Sequence, residues 1–123
     1  MKHILITGAS SGIGQALALE YSAPDIKLSL LARHEERLLD VVTQCRNKGA
    51  DVDYIILDVM DREGISQWLH QQDQKHPLDL IIANAGISGL SENEDQWEDA
   101  THDVFNVNVI GVINSFLPMI QTF

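Results

Sequence analysis

The residues best suited to chemistry lie near the start of the chain, in the octet TGASSGIG at residues 7–14. The octet follows an apolar run at residues 4–6 and precedes a helix-compatible run at residues 15–20. A strand that turns on glycines into a helix directs backbone N–H groups and a helix N-terminus at one point, where a phosphate can bind. The spacing G-x-x-x-G-x-G in this context therefore predicts a dinucleotide site.

Each small residue of the octet has an expected task. We expect Gly8 to allow the tight turn, Gly12 to allow the close approach of a phosphate, and Gly14 to let the helix pack near the sheet. The hydroxyls of Ser10 and Ser11 can cap the helix or donate to a phosphate. The alternative is a structural glycine turn with a serine cap and no ligand.

Strand-like and helix-like segments alternate along the chain and would position this loop. The predicted strands cover residues 3–7, 26–32, 51–57 and 78–82, and the predicted helices cover residues 11–22, 34–48, a segment capped by Asp61, and a long, interruptible run from about 95 to 121. Such alternation implies right-handed βαβ crossovers and a parallel sheet. Strands one, two and four are apolar nearly throughout, so we expect helices on both faces of a three-layer α/β domain.

Composition limits the remaining possibilities. A chain of 123 residues fits one domain, residues 1–123. The net charge of −10 argues against nucleic-acid or anionic-membrane partners. Cys45 is the only cysteine and is expected to be buried, and the five histidines form no convincing metal pair. Neither a signal-peptide pattern nor a membrane-length apolar stretch is found, so a cytoplasmic location is expected.

Four ordered motifs together resemble the short-chain dehydrogenase/reductase family. They are the octet, Leu57-Asp58-Val59 after the third strand, Asn84-Ala85-Gly86 after the fourth, and Asn106-Val107-Asn108-Val109-Ile110-Gly111 in the last helix. The resemblance covers essentially the whole chain. It implies a Rossmann-like, doubly wound parallel sheet and hydride transfer between a nicotinamide dinucleotide and a carbonyl or alcohol.

The resemblance also implies individual roles. Asp58 would contact the adenine ring, and Asn108 would be the supporting member of the catalytic tetrad. The implied cofactor contacts also include Ile13, Val59 and residues 84–86. From the residues alone, Asp58 could instead cap a turn, and Asn84 could hydrogen-bond only loop backbone.

The end of the second strand bears on the choice of cofactor. An acid there would bind the ribose 2′-OH of NAD(H), whereas a basic residue would pair with the 2′-phosphate of NADP(H). The strand ends Leu31-Ala32-Arg33, so Arg33 favours NADP(H) over NAD(H). The alternative is that Arg33 is a solvated charge at the start of the next helix.

The family's proton-transfer motif, Tyr-x-x-x-Lys, is absent from the sequence. Tyr21 and Tyr54 are followed four residues later by Asp25 and Asp58. Only Asn108 of the tetrad is present, so we expect this chain alone to have little or no dehydrogenase activity.

The sequence also leads to an expectation about its extent and assembly. It looks truncated after the fourth strand and the long helix, either as a fragment or as an unusual half-length protein. The fourth strand would then present an apolar edge, and we expect a homo-oligomer. A non-catalytic nucleotide-binding or oligomerising module remains the alternative function. A nucleotide-sugar or methyltransferase-type domain would fit the fold but fits the third and fourth motifs poorly.

Overall fold

A four-stranded parallel sheet forms the centre of the computed structural model, which describes residues 1–86 and 96–123. Its strands are β1 (Lys2–Thr7), β2 (Ile26–Ala32), β3 (Asp51–Ile56) and β4 (Leu80–Ala83). The order is β3-β2-β1-β4, and every pairing is parallel. The predicted parallel α/β architecture is confirmed.

Helices connect and follow the strands. They are α1 (Gly12–Tyr21), α2 (Glu35–Asn47), α3 (Arg62–Lys75), α4 (Trp97–Phe105) and α5 (Gly111–Phe116). A π-helical segment, Asn106–Ile110, joins α4 to α5, and a 3₁₀ turn, Leu117–Met119, follows α5. The long run predicted at the end of the chain is therefore interrupted, and its predicted start at Asp95 lies outside the described residues.

Local sequence signals explain several helix boundaries. Asp61 caps α3 as predicted, because its Oδ1 accepts a hydrogen bond from the Gly64 N–H at 3.0 Å. Gly49 follows α2 with φ +97°, a conformation that glycine adopts without a side-chain clash. Glu98 and Asp99 lie in the first turn of α4, where negative charge favours the helix.

Two hydrophobic clusters lie on opposite faces of the sheet. Alternate strand residues divide between them, with Ile4 and Ile6 in one and Leu5 in the other. The first cluster is completed by α1 and α2 (Ala18, Leu38, Val41, Val42, Cys45), and the second by α3 and the C-terminal helical run (Ile65, Trp68, Leu69, Met119). Full burial of each large apolar side chain contributes about 1.5–3 kcal/mol. Helices thus cover both faces, as predicted, and Cys45 is buried as expected.

The chain reverses its direction across the sheet at β1. From β1 it runs outward to β2 and β3, then returns to place β4 on the other side of β1. In open parallel sheets, ligands bind where the strand order reverses, at the carboxyl ends of the strands. The octet follows β1 and residues 84–86 follow β4, so both motifs lie at this position.

Candidate nucleotide-binding cleft

A cleft of about 120 Å³ opens at the carboxyl ends of the strands. It is lined by Gly8, Ser10, Ser11, Leu31, Ala32, Arg33, His34, Arg37, Leu57, Val59, Ala85, Gly86 and Val107. Seven of the predicted site residues are therefore brought together: Gly8, Ser10, Ser11, Arg33, Val59, Ala85 and Gly86. The other six do not line this cleft: Gly12, Ile13, Gly14, Asp58, Asn84 and Asn108.

The loop after β1 packs tightly against the segment after β4. Gly8 has φ +66°, and a Cβ there would lie 2.7 Å from the Ala85 Cα. A Cβ on Gly14 would overlap the Gly8 carbonyl oxygen and approach the Asn84 Nδ2 within 2.7 Å. Asn84 Nδ2 donates to this same Gly8 oxygen at 3.3 Å. Gly8 and Gly14 thus permit close contacts, and Asn84 makes the loop-backbone hydrogen bond that the sequence left as an alternative.

Thr7 joins the two loops from inside the sheet. Its side chain is fully buried, and its Oγ1 accepts hydrogen bonds from the N–H groups of Asn84 and Ala85, both at 3.1 Å. Sequence reasoning missed this role. The available signal was a hydroxyl residue at the carboxyl end of an otherwise apolar strand, where a buried polar group needs a partner.

The start of α1 is open to an anion. The first N–H groups of a helix have no acceptor within it, and Ser11, the N-cap, makes no side-chain capping bond. Within the described residues, the first turn of α1 carries no acidic side chain. Gly12 has φ +58°, and a Cβ there would meet no atom within 4 Å. Positive helix-end potential and open space therefore coincide at this end of the cleft.

Cationic side chains lie at the other end of the cleft, where β2 ends. Arg33 and Arg37 both line it, with His34 between them. Arg33 Nη1 lies 4.0 Å from Asp58 Oδ2, and both side chains are about half exposed. The sequence predicted Arg33 as a site residue but not Arg37. The structure adds it to the cleft lining.

Asp58 and Val59 form the turn after β3. Asp58 Oδ1 accepts from the Met60 N–H at 2.9 Å, so this carboxylate stabilises its own turn while its other oxygen faces Arg33. Val59 is buried, and its carbonyl oxygen accepts from Asn114 Nδ2 at 3.0 Å. Val59 therefore lines the cleft, while Asp58 lies beside it, within 4.0 Å of Arg33.

Asn108 lies in the π-helical segment, against the loop after β4. Its Oδ1 lies 2.9 Å from the position that a Cβ on Gly86 would occupy. The third and fourth motifs are thus adjacent, although Asn108 itself does not line the cleft. In residues 1–86 and 96–123, no group of three or more His, Cys, Asp or Glu side chains is placed to hold a metal ion. No helix in these ranges is long and apolar enough to cross a bilayer.

Comparison with known proteins finds a matching family profile and a similar oxidoreductase. The family profile described as "short chain dehydrogenase" matches residues 2–123. An uncharacterized oxidoreductase of Listeria monocytogenes is 35% identical over 127 aligned positions, which cover 99% of this chain and 50% of that protein.

Two solved structures share the fold over nearly the whole chain. An NAD⁺-bound xylitol dehydrogenase superposes with a TM-score of 0.88 at 25% identity, covering 98% of this chain and 49% of that one. An alcohol dehydrogenase from the archaeon Thermococcus sibiricus, complexed with 5-hydroxy-NADP, gives a TM-score of 0.86 at 30% identity, covering 98% and 52%. The chain thus spans about half the length of each of these three proteins.

Proposed function

Because the chain belongs to the short-chain dehydrogenase family, we propose that it binds a nicotinamide dinucleotide as the cofactor-binding part of an oxidoreductase. The reaction would transfer a hydride between this cofactor and a carbonyl or alcohol. The observation that carries the proposal is the cleft itself, where the glycine loop, the turn after β3 and the segment after β4 meet at the N-terminus of α1.

The pyrophosphate would lie at the start of α1. Backbone N–H groups around Gly12 and Ile13 would donate to it, and the hydroxyls of Ser10 and Ser11 are placed to add donors. Gly12 leaves space for this approach, whereas Gly14 keeps α1 close to the loop. The helix macrodipole would favour the negative charge of the phosphates.

The adenosine would lie between the ends of β2 and β3. Asp58 supplies an acceptor suited to the adenine amino group, and Val59 supplies an apolar wall. The segment Asn84-Ala85-Gly86 would form the floor of the cleft on the nicotinamide side. Asn84 would act through the Gly8 carbonyl that it holds.

NADP(H) is the proposed cofactor in preference to NAD(H). Two arginines, Arg33 and Arg37, line the cleft where the 2′-substituent of the adenosine ribose would lie. Guanidinium groups bind phosphate with paired, charge-assisted hydrogen bonds. Among the described residues that line the cleft, none is an acid that would repel a 2′-phosphate.

Hydride transfer also needs a proton donor or acceptor at the reacting oxygen. Tyr21 ends α1 and Tyr54 lies within β3, and neither lines the cleft. Asn108 would keep only a supporting role. We therefore propose that residues 1–123 form one domain that binds cofactor with little or no turnover on its own.

Charge and exposed apolar surface bear on the partners of the protein. The net charge of −10 disfavours nucleic acid, and a cytoplasmic location remains our expectation. Self-association as a homo-oligomer is supported by exposed apolar side chains on the C-terminal helical run, including Phe105, Val109 and Ile113.

The substitution Ser11→Asp tests the proposal. Aspartate is a good N-cap, so the variant should fold at least as stably as the parent chain. Its carboxylate would repel a pyrophosphate, so NADPH should bind at least tenfold more weakly in a calorimetric titration. Equal NADPH affinity in the variant, or a folded parent chain that does not bind NADPH saturably, would contradict the proposal.

A further inference from the structure

The turn after β3 is tied to the C-terminal helical run by one buried side chain. Asn114, in α5, donates from Nδ2 to the carbonyl oxygen of Val59 at 3.0 Å, across 55 positions of sequence. Asn114 is 8% exposed and Val59 is 3% exposed, so water does not readily replace this hydrogen bond. The side chain of Val59 also lines the cleft.

Gly111 brings the same helix close to the same residue. A Cβ at position 111 would lie 2.6 Å from Val59 Cγ2, closer than two carbon atoms can pack. Gly111 also closes the π-helical segment, since its N–H donates to the Asn106 carbonyl oxygen. The π-helical turn contains one residue more than an α-helical turn, and this extra residue determines which side of α5 faces Val59. Gly111 and Asn114 then meet Val59 on one side of α5.

Other hydrogen bonds hold the two ends of this turn, because the Leu57 N–H donates to the Ala32 carbonyl oxygen of β2 and Asp61 accepts from Gly64 and Ile65 of α3. Two further bonds join members of the turn itself. The Met60 N–H donates to Asp58 Oδ1, and the Asp61 N–H donates to the Asp58 carbonyl oxygen. None of these bonds reaches Val59, which lines the cleft. The Asn114 amide holds the Val59 carbonyl oxygen, and a buried carbonyl that loses its donor tends to move toward water.

We propose that Asn114 is a positioning residue for cofactor binding. It holds Val59, and with it Asp58, as the adenine-side wall of the cleft, while Gly111 provides the space that lets Val59 approach α5. This inference rests on the proposed function. Asn114 itself lies outside the cleft and would touch no part of the proposed ligand.

The test compares Asn114→Leu with Ser115→Ala. Leucine has the same branching and number of side-chain heavy atoms as asparagine and lacks the donor. Ser115 is also buried, but its hydroxyl donates only to the Gly111 carbonyl oxygen of its own helix, at 2.7 Å. Both variants should unfold at lower urea concentration. Only Asn114→Leu should weaken the binding of adenosine 2′,5′-bisphosphate and of NADPH, by about tenfold.

A second variant, Gly111→Ala, displaces Val59 while keeping the Asn114 amide. Alanine favours the helix over glycine, so a loss of affinity would come from the contact with Val59 and not from a weaker helix. Gly111→Ala should weaken the binding of adenosine 2′,5′-bisphosphate as Asn114→Leu does. It also tests the proposal if Asn114→Leu does not fold.

The outcomes separate the two proposals. A folded parent chain that binds neither probe would overturn the proposed function. A parent chain that binds both, with Asn114→Leu and Gly111→Ala each binding as tightly as Ser115→Ala, would overturn only the role of Asn114.

Discussion

Arg33 is the residue on which the choice of cofactor depends. It lines the cleft beside Arg37 and lies 4.0 Å from Asp58, so its charge is already partly balanced when no nucleotide is present. An exposed pair of this kind is worth only about 0–1 kcal/mol. A 2′-phosphate, with more charge and several oxygens, can therefore compete with Asp58 for the guanidinium.

The substitution Arg33→Asp should reverse the preference. The new carboxylate would repel a 2′-phosphate and could accept a hydrogen bond from a ribose 2′-OH. We expect the ratio of NADPH to NADH affinities to fall at least tenfold in parallel titrations. Arg62→Asp makes the same change in net charge on an exposed part of α3 and should leave the ratio unaltered. An unchanged ratio in Arg33→Asp would show that Arg33 does not contact the ribose substituent.

Some site residues could be predicted from the sequence and others could not. The Gly8, Ser11 and Val59 positions could be predicted because each belongs to a motif with a fixed place beside a strand, and Arg33 because it directly follows the apolar strand β2. Thr7 and Arg37 could not, because their contacts depend on how two distant segments align. Thr7 meets residues 84 and 85 only after β1 and β4 pair in register, with Thr7 opposite Ala83.

At the level of elements, the packing of α1 against its loop depends on Gly14. Replacement by alanine would raise helix propensity, which alone would stabilise the protein by about 1 kcal/mol. The added Cβ, however, would overlap the Gly8 carbonyl oxygen, which belongs to the backbone and cannot rotate away. We expect Gly14→Ala to lower the free energy of unfolding by about 1–3 kcal/mol in urea denaturation. A variant as stable as the parent, or more stable, would refute this packing.

A buried histidine links β1 to β2 and α3 at the opposite end of the sheet. His3 is fully buried, with Nδ1 2.6 Å from the His76 carbonyl oxygen and Nε2 2.6 Å from Ser29 Oγ. Burial lowers the pKa of His3 below 6.5, aided by the charges of Lys27 and His76, although the hydrogen bond to His76 and the charge of Asp53 oppose this shift. The folded protein therefore keeps His3 neutral where the unfolded chain has begun to bind a proton.

This shift predicts how stability depends on pH. Below about pH 6.5, unfolding is accompanied by proton uptake at His3. The stability that neutral His3 contributes to the folded protein is therefore complete above that pH and is lost as the pH falls toward the lower folded-state pKa. The loss is at most about 1.4 kcal/mol per pH unit for one proton. His3→Gln should show a shallower decline in urea midpoint between about pH 7 and pH 5. Parallel declines in the two proteins would rule out His3 as the cause.

Element boundaries followed from sequence where local residues determine them. β2 was predicted to the residue, because Pro24-Asp25 precedes it and a mostly apolar run, interrupted by Lys27 and Ser29, fills it. β4 begins two residues later than predicted, at Leu80, since the Leu78 N–H is bonded outside the sheet, although Asp79 already contacts β1. The Leu78 N–H donates to Asp73 Oδ1, and the Asp79 N–H donates to the His3 carbonyl oxygen. The π-helical segment left no sign in the hydrophobic pattern, because its apolar residues suit either kind of helix.

On the scale of the whole molecule, the doubly wound sheet explains why motifs separated by up to about a hundred residues, from Gly8 to Val107, form one site. Because the strand order reverses at β1, the loops after β1 and β4 lie side by side, and the carboxyl ends of β2 and β3 lie on one side of them. The same order leaves β4 paired only with β1 within the described residues, and Leu80, on this strand, is 39% exposed. The residues that line the cleft all belong to the described part of the chain, so NADPH binding by residues 1–123 can be measured directly.

That measurement is a titration of the isotope-labelled chain with NADPH, followed by its amide chemical shifts. We expect saturable changes concentrated in the loop of residues 8–14, the turn of residues 57–61 and the segment of residues 84–86, with α3 largely unaffected. Saturable changes confined to another surface, or none at NADPH concentrations that saturate related reductases, would contradict binding in this cleft.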